Sequence, residues 1–421
     1  MLEYLTYNAY PTAWGDPRTL TDGDRGVLGA LALRFRCAAD DPRHEPLREL
    51  WVRHNRRTLD RPLVAVWAEN FLEMPEIANL QCESDAGRQL EFQVRQLLWQ
   101  YHNVLDDKPL EDFLSVPKIV RSTGWGLETA MRHGAKEGDA WGFEPVLKGY
   151  EDVKKLRIPV LSCDAEETEA RAALWCELLG DVLPVRVTGV SEVGFHLCMQ
   201  YSLWRGLTAL YEDFYDEPEM LGDVLDFLVE GELDLMDQRE RLGLLDTCFE
   251  GTYQGTGGFQ YWREKPEGQV LRSHIWGHAE AQELAQVSPK MHREWLFGRE
   301  AKLLQGFART EYGCCEPLNE KLEDALKMPG LVKLSASPWA KLPAFRDQVP
   351  DGVIISWKPN PAWLTQRFDE DFIRAQLDEG MRTLRGKHFE VVLGDLRSCG
   401  GHPENIAHWV ALVRESMTRC L

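Results

Sequence analysis

Short apolar runs recur along this chain, and stretches of helical rhythm separate them. "RPLVAVWAENF" holds an unbroken run from Leu63 to Trp67, and "DVLPVRVTGV" one from Val185 to Val190. "LGLLDTCFEG" gives Leu242–Phe249, "GLVKLSASP" gives Leu331–Ser335, "GVIISWKPNP" gives Val353–Trp357 and "HFEVVLGD" gives Phe389–Leu393. "SVPKIVRSTGWG" and "GFARTEYGCC" complete a set of eight. Continuous apolar runs of this length are what strands buried on both faces look like. "TEARAALWCELLG" and "PEMLGDVLDFLVEGELDLMDQRERLG" carry apolar residues three and four apart with charges between, the mark of amphipathic helices. Strands alternating with helices predict right-handed βαβ units and a parallel sheet. Eight units in 421 residues predict an α/β chain with a single (β/α)8 TIM barrel over 61–421, preceded by a helical extension over 1–60. No Gly-x-Gly-x-x-Gly follows a strand, and "GTGGFQ" has the wrong spacing for a dinucleotide fold.

Composition narrows the function. Asp and Glu number 68 against 48 Lys and Arg, a formal charge of -20. That excludes the basic face that nucleic acid requires and suits small-molecule or protein partners. No apolar run reaches the ~18 residues of a membrane span, and the N-terminus lacks the pattern of a secretion signal. A cytoplasmic, reducing setting is expected, with most of the ten cysteines as buried thiols. A homodimer is left open.

In a barrel the active site gathers at the carboxyl ends of the strands. Those ends carry Trp67, Glu69 and Asn70; Tyr312, Cys314, Cys315 and Glu316; Lys358 and Asn360; Asp395 and Cys399. In "TEYGCCEPLNEKL", Cys314 and Cys315 can be a reactive centre, metal ligands or wall residues. A mutual disulfide would close a strained eight-membered ring. Thiolates suit zinc, for which two cysteines, one histidine and an open position make a catalytic set. Cys315 and Cys399 can supply two ligands, with the histidine from His274, His278 or His402. "GHAEAQELAQVSP" is read as a helix placing His278 and Gln282 on one face, with Trp276 beside it, or else as core with His278 structural. Lys358, held extended by Pro359, can bind a carboxylate or phosphate, or pair on the rim.

The ordered set "LDRPLVAVW", "YEDVKKLRIPVLSCD", "LGDVLPVRVTG", "YGCCEPLNEKLEDALKMPGLVKLSASPWA" and "ISWKPNPAWL" resembles the uroporphyrinogen decarboxylase superfamily over roughly residues 45–415, and within it the methyltransferase-like branch. The resemblance implies a (β/α)8 barrel and one of two chemistries. One is metal-free decarboxylation. The other is methyl transfer to or from a corrinoid protein, assisted by zinc on a His-x-Cys motif and a late cysteine. Cys315 matches the motif cysteine and Cys399 the late one. Gly313 stands where the family has histidine, so His278, Glu316 or Glu283 would complete the set. "AVWAENFLEM" carries no arginine-rich loop for a tetrapyrrole. No Asp-x-His-x-x-Gly pattern of cobalamin binding is present, so the corrinoid would come from a partner. The expected catalytic residues are Glu316, Cys315 and His278. The expected substrate contacts are Trp67, Asn70, Trp276, Tyr312, Lys358 and Asp395, and the expected zinc ligands are Cys315, Cys399 and His278. A decarboxylase or lyase acting on a small carboxylate, and a non-catalytic binding barrel, are the alternatives.

Overall fold

The computed structural model describes residues 8–68, 73–132, 142–247, 256–262, 266–365, 367–396 and 398–421. Its strands, in chain order, are β1 Val64–Ala68, β2 Leu114–Pro117, β3 Val120–Ser122, β4 Ala130–Arg132, β5 Gly142–Glu144, β6 Leu161–Cys163, β7 Val185–Thr188, β8 Glu192–Phe195, β9 Trp276–Ala279, β10 Arg309–Tyr312, β11 Leu331–Ala336, β12 Ile354–Trp357 and β13 Phe389–Leu396. Seven of them form one curled sheet in the order β1-β13-β12-β11-β10-β9-β8, parallel throughout. β2 and β7 pair separately and in parallel, while β3–β6 and β4–β5 are small antiparallel pairs. Among the described residues the sheet is therefore TIM-like but not closed, with β1 and β8 as its edges.

The period of two divides each strand between two cores. Val64, Val66, Leu334, Ile355, Val391 and Leu393 face outward into the large core shared with the helices. Ala65, Trp67 and Val392 face inward and pack with Trp51, Phe259 and Tyr261. One face of the helix His44–Asn55 thus packs into the barrel interior. Its Trp51 Nε1 donates to Asp107 O (2.8 Å), and its Asn55 Nδ2 to Phe259 O and Tyr261 O (2.9 and 3.0 Å).

What fills the interior is polar as well as aromatic. Lys333 of β11, fully buried, lies 3.4 Å from Glu390 of β13 and 3.8 Å from Glu311 of β10. His54 closes on Glu390 at 3.0 Å. The segment 256–262 runs through this interior, its Gly258 N donating to Glu390 Oε1 (2.6 Å). A Cβ on Gly257 would meet Ser356 Oγ at 2.6 Å, and one on Gly258 would meet the Trp51 ring at 2.5 Å. Gly257 and Gly258 of "GTGGFQ" therefore serve a close backbone approach.

Two expectations are corrected. The stretch read as a helix around His278 is β9, continued by a single 3-10 turn at Gln282–Leu284, so His278 and Gln282 share no helix face. β8 was not anticipated. Its sequence "EVGF" is too short and too polar to stand out, and its pairing with β9 is what settles it. Of the run Leu242–Phe249, the described part makes only an isolated bridge, Leu245 to Val190.

Candidate active site at the carboxyl ends of the strands

β10 ends at Tyr312, and Gly313 turns the chain at φ 85°, a left-handed value that suits glycine. The following turn is pinned from several strands. Gly313 N donates to Ala279 O at the end of β9 (2.9 Å). Thr256 Oγ1 donates to Gly313 O (2.8 Å). Ser335 Oγ of β11 and Lys358 Nζ, just beyond β12, both donate to Cys314 O (2.7 and 3.2 Å). Glu316, buried, accepts from Cys314 N (2.9 Å) and Ala281 N (3.2 Å). Burial and Glu280 push its carboxyl upward. With both oxygens on backbone donors, Glu316 holds the turn.

The thiols lie at this rim, both half-buried, with their Sγ atoms 3.5 Å apart. Cys315 Sγ also donates to Asp395 Oδ2 (3.5 Å). Hydrogen bonding with Cys314, burial and the Asp395 charge push the Cys315 thiol far up, so it is held protonated. Asp395 is the exposed residue of an otherwise buried strand, and its φ is 55°. It sits where the β1–β13 register slips between Val66 and Ala68. A bulge with a left-handed aspartate re-aims a side chain at some cost in strain.

A second cluster stands at the tops of β8 and β9. His278, 2% exposed, points inward in register with Gly194 and Glu311. Neither ring nitrogen makes a well-formed hydrogen bond, although the Gly313 backbone is a polar neighbour. Burial, with His196 and Lys358 nearby, keeps it neutral. The His196 ring lies 5.5 Å from it, centroid to centroid. His196 Nδ1 is 2.8 Å from Glu280 Oε1, and Glu280 Oε2 accepts from Gln282 N (2.8 Å). Burial works against a proton on His196, but Glu280, Glu283 and Glu232 outweigh it and raise its pKa. Burial and Glu280 lift Glu283 to about 7. His196 escaped sequence reading because it follows a strand that was itself missed.

Of the expected site residues, Cys315, Lys358 and Asp395 come together at the rim, with Glu316 behind them and His278 one strand away. Tyr312 faces the helices: its hydroxyl donates to Glu300 Oε2 (2.8 Å) and its ring packs on Phe297, so it makes no cavity contact. Trp276 is the first residue of β9, at the amino end of the barrel, buried against Ile354 with Lys333 5.7 Å from its ring. Trp67 is core, against Phe259 and beneath Lys108. Asn70 lies outside the described residues.

The residues expected to hold zinc lie in separate surroundings. Cys399 is buried, its backbone N–H on Glu73, and burial and Glu73 push its thiol up to about 12. Cys315 answers to Cys314, Asp395 and Lys358, and His278 to His196. Glu283 belongs to the His196 cluster. His274 accepts from Leu271 N in the turn before β9, and His402 pairs with Glu404 on the surface. Among the described residues no three His, Cys, Asp or Glu side chains converge as ligands of one ion.

Among the described residues no helix is long and apolar enough to cross a membrane. No family model matches the chain, and no curated protein matches it in sequence. In structure it is similar to a methyltransferase from Methanosarcina mazei, with TM-score 0.50 and 13% identity, over 88% of this chain and 98% of that one. At that identity the likeness is one of fold.

Proposed function

We propose that this protein is a methyltransferase that moves a methyl group between a small methylated compound, such as a methyl ether, and a corrinoid protein. The observation that carries the reading is the rim at the ends of β10, β12 and β13, where Cys314, Cys315, Lys358 and Asp395 meet. The fold shared with a methyltransferase supports it. An ether carbon is a poor electrophile, and the protonated thiols here are poor nucleophiles, so a cobalt(I) centre from a partner would accept the methyl group. The chain's part is to hold the carbon in line and to donate a hydrogen bond or proton to the departing oxygen, worth ~10²–10⁴ in rate for a well-placed acid. The His196–Glu280 pair can give a proton to that oxygen through Nε2, and Cys315 can turn its S–H from Asp395 to hydrogen-bond it. The net charge of -20 gives a docking partner an acidic surface. A decarboxylase reading is the weaker one, because Lys358, the cation at this rim, is already engaged on Cys314 O. The reading is tested by supplying the isolated chain with reduced corrinoid and a panel of methyl donors and following methylcobalt formation.

A further inference from the structure

We propose that His196 and His278 form a two-imidazole subsite that binds the oxygen of a neutral methoxy or hydroxy compound. The choice of a methoxy compound rests on the methyl-transfer reading; the subsite itself does not.

The geometry is built by two neighbouring strands. β8 and β9 pair with Gly194 opposite His278, which turns both inner faces to the same side. The His196 ring folds back over Gly194, where a Cβ would come within 2.6 Å of its Nε2. Only glycine leaves that room. The two rings are then tilted by 58° with centroids 5.5 Å apart. Rings this close and this tilted let one oxygen lying beside the pair come within ~2.9 Å of a nitrogen of each.

The hydrogen-bond inventory asks for such an occupant. His278 is 2% exposed, and both of its ring nitrogens lack a well-formed bond. A buried polar group left this way is destabilising unless a ligand completes it. His196 is already oriented: Nδ1 is taken by Glu280, which is itself fixed by Gln282 N. That leaves Nε2 for a ligand. The His196 side chain is 35% exposed, so a ligand can reach its Nε2 from solvent.

Charge selects the class. Glu280, Glu283 and Glu232 face His196, while Lys358 is the cation facing His278. A carboxylate ligand would enter against this acidic wall. A neutral oxygen meets a donor and an acceptor without that repulsion.

Calorimetric titration of phenol, anisole and benzoate into the full chain and its variants tests the proposal. Wild-type protein should bind phenol at least tenfold more tightly than benzoate. H196N and H278L should each weaken phenol binding about 2- to 12-fold, the worth of one net hydrogen bond. G194A keeps both histidines but displaces the His196 ring, and should weaken phenol binding as H196N does. H278L should also unfold at a temperature no lower than wild type, because it replaces a buried ring whose hydrogen bonding is poor, which shows that lost binding is not lost fold. Equal phenol affinity in wild type, H196N and H278L, no phenol binding by wild type, or tighter binding of benzoate would overturn the subsite. If phenol binding depends on the imidazoles but no donor gives methylcobalt, the methyl-transfer reading fails and the subsite stands. If methyl transfer proceeds and H196N changes neither it nor phenol affinity, the subsite fails and the reading stands.

Discussion

Replacing Lys333 by methionine tests whether the barrel interior is held by charge as the structure indicates. Lys333 is fully buried between Glu390 (3.4 Å) and Glu311 (3.8 Å), with Phe259 O a further 3.4 Å contact. Burial alone would raise the Glu390 carboxyl. Lys333 and His54 overcome it and hold Glu390 down at about 2, against an ordinary 4.5. At ~1.4 kcal/mol per unit, that depression represents roughly 3 kcal/mol at neutral pH, shared among Lys333, His54 and Gly258 N. Breaking a buried pair from one side typically costs ~3–5 kcal/mol, because the remaining charge is stranded. K333M should therefore lose about 3 kcal/mol in urea unfolding at pH 7.5. The sign with pH follows from the protons bound. Without the ammonium, Glu390 titrates higher in the folded protein, and so does Glu311, which burial already lifts to about 7. The folded variant then takes up more protons than wild type as pH falls, so its deficit should shrink by pH 5. A variant as stable as wild type at pH 7.5, or a deficit unchanged at pH 5, refutes this account of the interior.

Other outcomes follow from single positions. G258A should cost about 1–3 kcal/mol in the same assay, since its Cβ would press on Trp51 and Glu390, whereas G29A, open within its helix, should gain roughly 0.5–1 kcal/mol. His292 is buried with both nitrogens unpartnered, and burial, with Lys321 nearby, lowers its pKa to about 3. Its contribution is present above the unfolded value near 6.5 and lost as pH falls towards 3. H292F should therefore remove about 1.4 kcal/mol of the stability that wild type loses between pH 7.5 and 5.5, read by thermal or urea unfolding. D395G should raise stability by about 1 kcal/mol by relieving the left-handed φ while lowering any activity that depends on Cys315; a destabilised D395G would contradict the strain.

The strands that sequence reveals are those with continuous apolar runs. β1, β11, β12 and β13 fall on such runs, because burial on both faces demands them, while the stretches around β7 and β10 stand out although Arg186, Arg309 and Glu311 interrupt them. β8 and β9 do not. Glu192, Gly194, Gly277 and His278 break their apolar pattern, since their inward face is polar and their backbones are approached closely by Phe307 and His196. The same cause hid half of the candidate site. The Gly-Cys-Cys-Glu turn was visible as a motif, and Lys358 and Asp395 as strand-end residues. The side chains that face them were not. Tyr312 looked like a site residue because alternation along a strand fixes which face a residue takes but not which face is the cavity, and Trp276 because its strand, unread in the sequence, gave no sign that it stands at the amino end. Their true surroundings, Glu300 on one side and Lys333 on the other, come from helices and strands distant in sequence.

The central claim is methyl transfer to a corrinoid, and one measurement meets it directly. Purified protein is mixed with cob(I)alamin, as a stand-in for a corrinoid protein, and with methyl ethers, methyl thioethers or methylamines, and the methylcobalt spectrum is followed. Methylcobalt is expected from at least one methyl ether, at a rate about 2- to 12-fold lower in C315A, the worth of one hydrogen bond, and none without protein. No methylcobalt from any donor, together with carbon dioxide released from a carboxylate substrate in the absence of corrinoid, would contradict it.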